Sequence, residues 1–210
     1  MNNQQPDCPV WAVIPCRGLA VGKRRLAESL SPKQRETLNT KLLVQVISAA
    51  LACPSVHRTV VVSPDPDALE LARTNGVDGL RELDGPNLNQ ALAQVANNAG
   101  HAAMLVLPAD LPWLTMHDID ALLDKANGES QCIIVSDRHG SGTNALYILP
   151  ATAVPFCFGT DSFERHAAAA KQRRVPVLHY QNDAIAFDID LPEDLVRYRV
   201  DDTALSVGTG

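Results

Sequence analysis

Residues 102–113, Ala-Ala-Met-Leu-Val-Leu-Pro-Ala-Asp-Leu-Pro-Trp, restrict the folds open to this chain more than any other stretch. An apolar run of strand length, without polar alternation, must be covered on both faces, and this is the pattern of a parallel strand inside an α/β sheet. The run ends at Asp110, on the carboxyl edge where open α/β sheets bind ligands. A carboxylate in that position could hold a metal ion beside phosphate oxygens, or it could cap a helix and close a loop.

The rest of the chain repeats the alternation of strand and helix. Residues 10–15 read as a first buried strand, followed by a loop carrying Arg17, Gly18, Lys23, Arg24 and Arg25. It is not a Walker loop, because Arg17 stands where the first glycine is required and Arg24 where Ser or Thr is required. Its place at the ligand edge favours phosphate binding over a merely solvated basic turn. Ser31, Pro32 and Gln34 form a helix start, and Leu38, Leu42, Val46 and Ala50 line one face of that helix as far as Pro54. Residues 59–62 are a β-branched strand, and Ser63-Pro64-Asp65-Pro66 turns into a helix that ends near Gly76. Ser63 and Asp65 could approach a nucleotide base, or could simply close that turn. Residues 84–89 are turn-rich and lead to a helix from about Gln90, with Asn89 at its entrance as a base or ribose reader or as an N-cap.

Beyond Asp110, Thr115 and Asp118 cap a helix expected to run to about Asn127, and residues 132–136 resume the sheet. In residues 137–144 the close spacing of Gly140 and Gly142 lets backbone N–H groups and Thr143 approach an anion, although a tight hairpin would use the same residues. Residues 145–149 form another strand. An irregular stretch from Phe156 to Ser162 then enters a helix whose start could bind a phosphate or carboxylate with Arg165 and His166, although Ser162 as a simple cap and Arg165 and His166 on a solvated face is the favoured reading. Near the end, Asp188 and Asp190 project to the same side if the backbone is extended, so they could join Asp110 in an oxygen-rich metal site. Capping by Asp190 ahead of Pro192, in a helix expected through about Arg199, is the competing use.

At 210 residues the chain suits one domain over 10–200, with flexible segments at 1–9 and 201–210. A net charge of −6 argues against nucleic acid or a membrane surface as partner and leaves room for a local phosphate site. The apolar runs are too short to cross a bilayer, and the polar start lacks the features of a secretory signal, so a cytoplasmic protein with small-molecule partners is expected. Cys8, Cys16, Cys53, Cys132 and Cys157 lack paired spacing and read as ordinary thiols.

Taken together, the basic first loop, Leu88-Asn89, Pro108-Ala109-Asp110-Leu111-Pro112, Gly140-Ser141-Gly142-Thr143-Asn144, Phe158-Gly159-Thr160-Asp161-Ser162 and Phe187-Asp188-Ile189-Asp190 resemble the CofC/FbiD guanylyltransferase family. The resemblance covers nearly the whole chain. It implies a single-domain, GT-A-like, nucleotide-diphospho-sugar-transferase-type three-layer α/β sandwich with a mostly parallel mixed sheet. It also implies transfer of GMP from GTP to a phosphorylated three-carbon acid, with release of pyrophosphate, in coenzyme F420 biosynthesis. By position, Lys23 and Asp110 would be catalytic, and Asp110, Asp188 and Asp190 would hold Mg²⁺. Arg17, Lys23, Ser63 and Asn89 would lie on the nucleotide side, and Thr143, Gly159 and Ser162 would bind the acceptor acid. Arg17-Gly18 departs from the Lys-Pro more usual at the start of the first loop. Phosphoenolpyruvate or 3-phospho-D-glycerate is the preferred acceptor, with 2-phospho-L-lactate also compatible. A downstream F420-pathway transferase would take the product, and the family pattern accommodates a monomer or a homodimer. The alternatives are a molybdopterin or sugar-phosphate nucleotidyltransferase, or a non-catalytic nucleotide-binding protein.

Overall fold

The structure is a computed structural model that describes residues 8–82 and 87–198. The expected turn at 84–86, most of the expected flexible ends and the expected helix end near Arg199 lie outside the described residues. Seven strands form one sheet in the order β3-β2-β1-β4-β6-β5-β7: β1 Val10–Pro15, β2 Arg58–Ser63, β3 Asp78–Arg81, β4 Ala103–Val106, β5 Gln131–Ser136, β6 Thr143–Leu149 and β7 Val177–His179. Only β6 runs against its neighbours. The helices are α1 Pro32–Ala52, α2 Pro66–Thr74, α3 Leu88–Ala99, α4 Met116–Leu123, α5 Ser162–Gln172 and α6 Asp183–Ala186, with a helical segment at 192–198 closing the described chain.

Because successive strand residues face opposite sides, the apolar runs feed two cores. Ala12, Ile14, Leu105 and Tyr147 pack under α1, α2, α4 and α6, whereas Val13, Met104, Val106 and Leu146 pack under α3 and α5. The result is the expected three-layer sandwich with a mostly parallel mixed sheet. A third, smaller cluster lies outside the layers: Leu26, Leu30, Leu42, Phe187, Ile189 and Leu195, with Trp113 stacked on Phe187 at 4.0 Å. It fastens the first loop to the chain around residue 189.

Local sequence explains most helix ends. Ser31 and Gln34 close a reciprocal capping box, as do Thr115 and Asp118. Several expected boundaries move. α4 stops at Leu123, short of Asn127, and α3 starts at Leu88, capped by the Asn87 side chain, so Asn89 lies inside the helix. Asp161, not Ser162, occupies the N-cap of α5, in the left-handed region at φ 53°. β3, not expected from the sequence, is an edge strand whose residues Asp78-Gly79-Leu80-Arg81 carry little apolar signal.

Candidate active site

The carboxyl ends of β1, β2 and β4 share one edge of the sheet, and the reversed strand β6 brings its amino end to the same edge. The basic loop, Ser63, Asp110 and Thr143 therefore converge on one cleft, as the sheet topology requires.

The basic loop is held at one residue, Leu19. Asp65 Oδ2 accepts from Leu19 N at 2.8 Å, and Asn39 Nδ2 donates to Leu19 O at 2.7 Å. Gly18, at φ 132°, lets this happen: a Cβ there would meet Asp65 Oδ2 at 2.9 Å. Asp65 Oδ1 also accepts from Asp67 N and so caps α2. The carboxylate weighed as a base reader is thus committed to anchoring the loop and the helix. Ser63 is fully buried, and its hydroxyl accepts from Asp65 N at 3.1 Å.

Lys23 follows in the left-handed conformation at φ 58°, an uncommon state for a residue with a Cβ. This turns its side chain inward, where it is 6 % exposed. Its ammonium donates to Asp110 Oδ2 at 2.5 Å and to Asp190 Oδ1 at 3.3 Å, while Arg25 reaches Asp190 Oδ2 at 3.1 Å. Burial works to lower the Lys23 pKa, but the charges of Asp110 and Asp190 and the Asp110 hydrogen bond outweigh it, and the net shift is upward. Lys23 therefore stays a cation. Arg17 lies exposed on the same loop.

The second acidic element is an alternation. Phe187 and Ile189 point into the third cluster, and Asp188 and Asp190 point the other way, as expected of extended chain. Asp110, Asp188 and Asp190 each offer an oxygen within 4.8 Å of the other two. The Asp188 pKa is pushed up to about 6, first by burial and then by the charge of Asp110, against donation from Asn144 and attraction to Lys23. Asn144 Nδ2 lies 3.2 Å from Asp188 Oδ1 and 3.1 Å from both Ile185 O and Ala186 O. Asn144 can reach that side because Val135 pairs with Ala145 and Ser136 with Thr143, which leaves Asn144 as the extra residue of a bulge. The Asp190 side chain goes to Lys23 and Arg25 rather than to the capping considered for it, and Asp194 Oδ2 accepts from Asp190 N and Leu191 N. Asp194 is itself buried and paired with Arg138.

The donor set is all carboxylate oxygen, which suits a hard cation, and the crowding of negative charge is what such a cation would relieve. Asp110, Asp188 and Asp190 therefore fit a divalent metal.

Across the cleft, Thr143 and Ser162 are buried, and Gly159 lies between them in the chain at φ 125°. Asn89 does not point freely into the cleft. Its amide donates to Phe158 O at 3.1 Å and accepts from Phe158 N at 2.8 Å, clasping the peptide just before Gly159. His166 is fully buried rather than on the solvated face, whereas its neighbour Arg165 is exposed. Burial, with the nearby charge of Arg165, outweighs a backbone hydrogen bond at Ser162 and lowers the His166 pKa to about 4. The sequence signal for Asn144 was present, since it closes the Gly-Ser-Gly-Thr-Asn motif. For His166, Asp194 and Arg138 no local signal exists, because burial by distant elements gives them their roles.

The mixed sheet thus carries three carboxylates around one lysine at its ligand edge. Solved structures agree on the fold. A putative nucleotide-diphospho-sugar transferase from Desulfovibrio desulfuricans superposes with a TM-score of 0.69 at 14% identity, covering 91% of this chain and 87% of that one. A CMP:2-keto-3-deoxy-manno-octonic acid synthetase complexed with CTP superposes at 0.66 and 12% identity, covering 93% of this chain and 99% of that one. The family model for CofC-like guanylyl transferases matches residues 10–201, and the chain belongs to that family. A phosphoenolpyruvate guanylyltransferase of Rubrobacter xylanophilus is 44% identical over 90% of this chain and 92% of its own length. A 2-phospho-L-lactate guanylyltransferase of Methanothermobacter thermautotrophicus is 34% identical over 88% and 81%. Among the described residues, no helix is long and apolar enough to cross a membrane.

Proposed function

We propose that this protein joins GMP from GTP to a phosphorylated three-carbon acid and releases pyrophosphate, as a cytoplasmic step in coenzyme F420 biosynthesis. The observation that carries this reading is the convergence of Asp110, Asp188 and Asp190 around Lys23 at the ligand edge of the sheet. Family membership favours this reaction over a molybdopterin or sugar-phosphate transferase and over a non-catalytic binder.

The acceptor phosphate already bears an anionic nucleophile, so no base is needed to create one. The difficulty is to bring several negative groups together in line. Mg²⁺, held by Asp110, Asp188 and Asp190, would supply Lewis-acid neutralisation of the phosphate oxygens. Lys23, kept cationic and fixed by two carboxylates, stabilises charge developing at the transferred phosphorus. The pinned loop presents Arg17 and Lys23 on the nucleotide side. Asn89 serves that side through its hold on Phe158, and Ser63 through the turn it closes. Thr143, Gly159 and Ser162 receive the acid's carboxylate or phosphate.

Phosphoenolpyruvate is the first choice of acceptor, in line with the name of the Rubrobacter relative. 3-Phospho-D-glycerate and 2-phospho-L-lactate are the others to compare. The test incubates the enzyme with GTP, Mg²⁺ and each acid in turn, with the F420-pathway transferase present to trap an unstable product. Pyrophosphate release should require an acid and should be fastest with phosphoenolpyruvate. Preference for CTP or ATP, or GTP binding without turnover on any acid, would sink the proposal.

A further inference from the structure

We propose that His166 is a positioning residue: it fixes the Thr143 hydroxyl as a hydrogen-bond donor toward the acceptor acid and holds the irregular 157–159 segment of the same pocket. The inference rests on the acceptor side proposed above and adds to it a residue that does not itself touch the acid.

The wiring follows from which groups can only donate. The Cys157 backbone N–H points at His166 Nε2 across 2.9 Å. A backbone N–H cannot accept, so Nε2 carries no hydrogen. A neutral imidazole must then bear its hydrogen on Nδ1, and Nδ1 lies 3.1 Å from Thr143 Oγ1. Thr143 is the acceptor in that bond. Its own O–H hydrogen is left over, with no acceptor among the described residues. Thr143 stands at the amino end of β6, on the ligand edge of the sheet, and its hydroxyl faces the α5 side, so the free hydrogen is offered there. A hydroxyl that accepts from a ring N–H keeps its hydrogen pointed away from the ring, and that hydrogen suits a carboxylate or phosphate oxygen.

The same ring organises the neighbouring segment. With Cys157 N–H on His166 and both backbone polar atoms of residue Phe158 on Asn89, the chain just ahead of Gly159 is fixed on two sides. Gly159 N–H has no acceptor among the described residues. Phe158 also packs edge-on against the ring at 4.8 Å, and Phe163 N–H donates to Ser141 O at 3.1 Å, tying α5 to the β5–β6 hairpin. Burial keeps His166 neutral, so the tautomer persists at physiological pH.

Two measurements test this together. Imidazole ¹⁵N chemical shifts of the wild-type protein should report His166 as the Nδ1–H tautomer, and an Nε2–H tautomer would overturn the assignment without any variant. In steady-state kinetics, His166→Gln can keep an acceptor near Cys157 N–H but loses the donor to Thr143. It should raise KM for phosphoenolpyruvate about tenfold or more, while KM for GTP stays within about threefold. Thr143→Val should do the same, and adding His166→Gln to it should cost little more, because both changes remove one hydrogen bond. Equal rises in both KM values, or multiplicative effects in the double variant, would refute a role through Thr143. Acid binding measured by calorimetry separates the two claims. Wild-type enzyme that binds phosphoenolpyruvate, more weakly after His166→Gln, yet never transfers GMP would overturn the guanylyltransferase reading and leave this one standing. No acid binding at all would overturn both.

Discussion

At the scale of single residues, the site combines a lysine kept cationic by carboxylates with a histidine kept neutral at physiological pH by burial. Asp110 accepts the shorter of the two Lys23 bonds and is one of three carboxylates whose oxygens lie close enough together to hold a cation. Asp110→Asn keeps the shape and removes the charge. It should lower turnover by about a hundredfold or more, the scale on which removal of one electrostatic stabiliser acts, and should barely change secondary structure measured by circular dichroism. His166 gives a pH prediction whose sign is fixed. Its pKa in the folded protein, about 4, lies below the unfolded value of 6.5, so the folded state binds fewer protons. Its contribution to stability is full above pH 6.5 and falls as the pH drops toward 4, by on the order of 3 kcal/mol. Chemical denaturation between pH 7.5 and 4.5 checks this: His166→Gln should lack that part of the slope, and an unchanged slope would contradict it. The acids of the site were legible in the sequence because they follow apolar runs. His166 was not, since its apparent helix face is turned inward by the 150–161 segment and by β6.

At the scale of elements, catalytic geometry is set by apolar residues that never meet a substrate. Phe187 and Ile189 bury themselves against Leu26, Leu30 and Trp113, and the alternation leaves Asp188 and Asp190 on the cleft side, with Lys23 brought up by the turn that carries Leu26. Phe187→Ala should destabilise the fold by about 3–5 kcal/mol, and turnover per folded molecule should drop because Asp188 loses its backing. Thermal melts and active-site titration separate the two effects. The strands β1, β2, β4 and β5 were readable from continuous apolar runs, and the capping boxes at Ser31 and Thr115 from three-residue spacing. Edge strand β3 and the Asn144 bulge were not, because an edge needs no apolar signal and a bulge is decided by pairing with another strand. Asp194, rather than Asp190, bonds the backbone ahead of the last helical segment for a similar reason: the choice between two nearby carboxylates depends on Lys23, Arg25 and Arg138, which the chain delivers from elsewhere.

At the scale of the whole molecule, the sheet puts four distant segments on one edge, and binding there should be coupled to folding. Mg²⁺ together with GTP should raise the melting temperature of the wild-type protein, in proportion to about 2.7 kcal/mol of added stability at a ligand concentration a hundred times the Kd. Asp110→Asn should show a much smaller shift from the metal. Overall architecture was the most legible property, since alternating strands and helices admit few arrangements. The family resemblance carried by ordered motifs was matched by the family model over residues 10–201, whereas the bonding inside the cleft required coordinates. The central claim is that the cluster of Asp110, Asp188, Asp190 and Lys23 is where GMP is transferred. Its most direct measurement is acid-dependent pyrophosphate release from GTP across a magnesium titration, for the wild-type enzyme and for Asp110→Asn and Lys23→Ala, with GTP binding followed in parallel. The account predicts release by the wild type only when acid and magnesium are both present, and a loss of about a hundredfold or more in each folded variant. Near-wild-type release by both variants would contradict it.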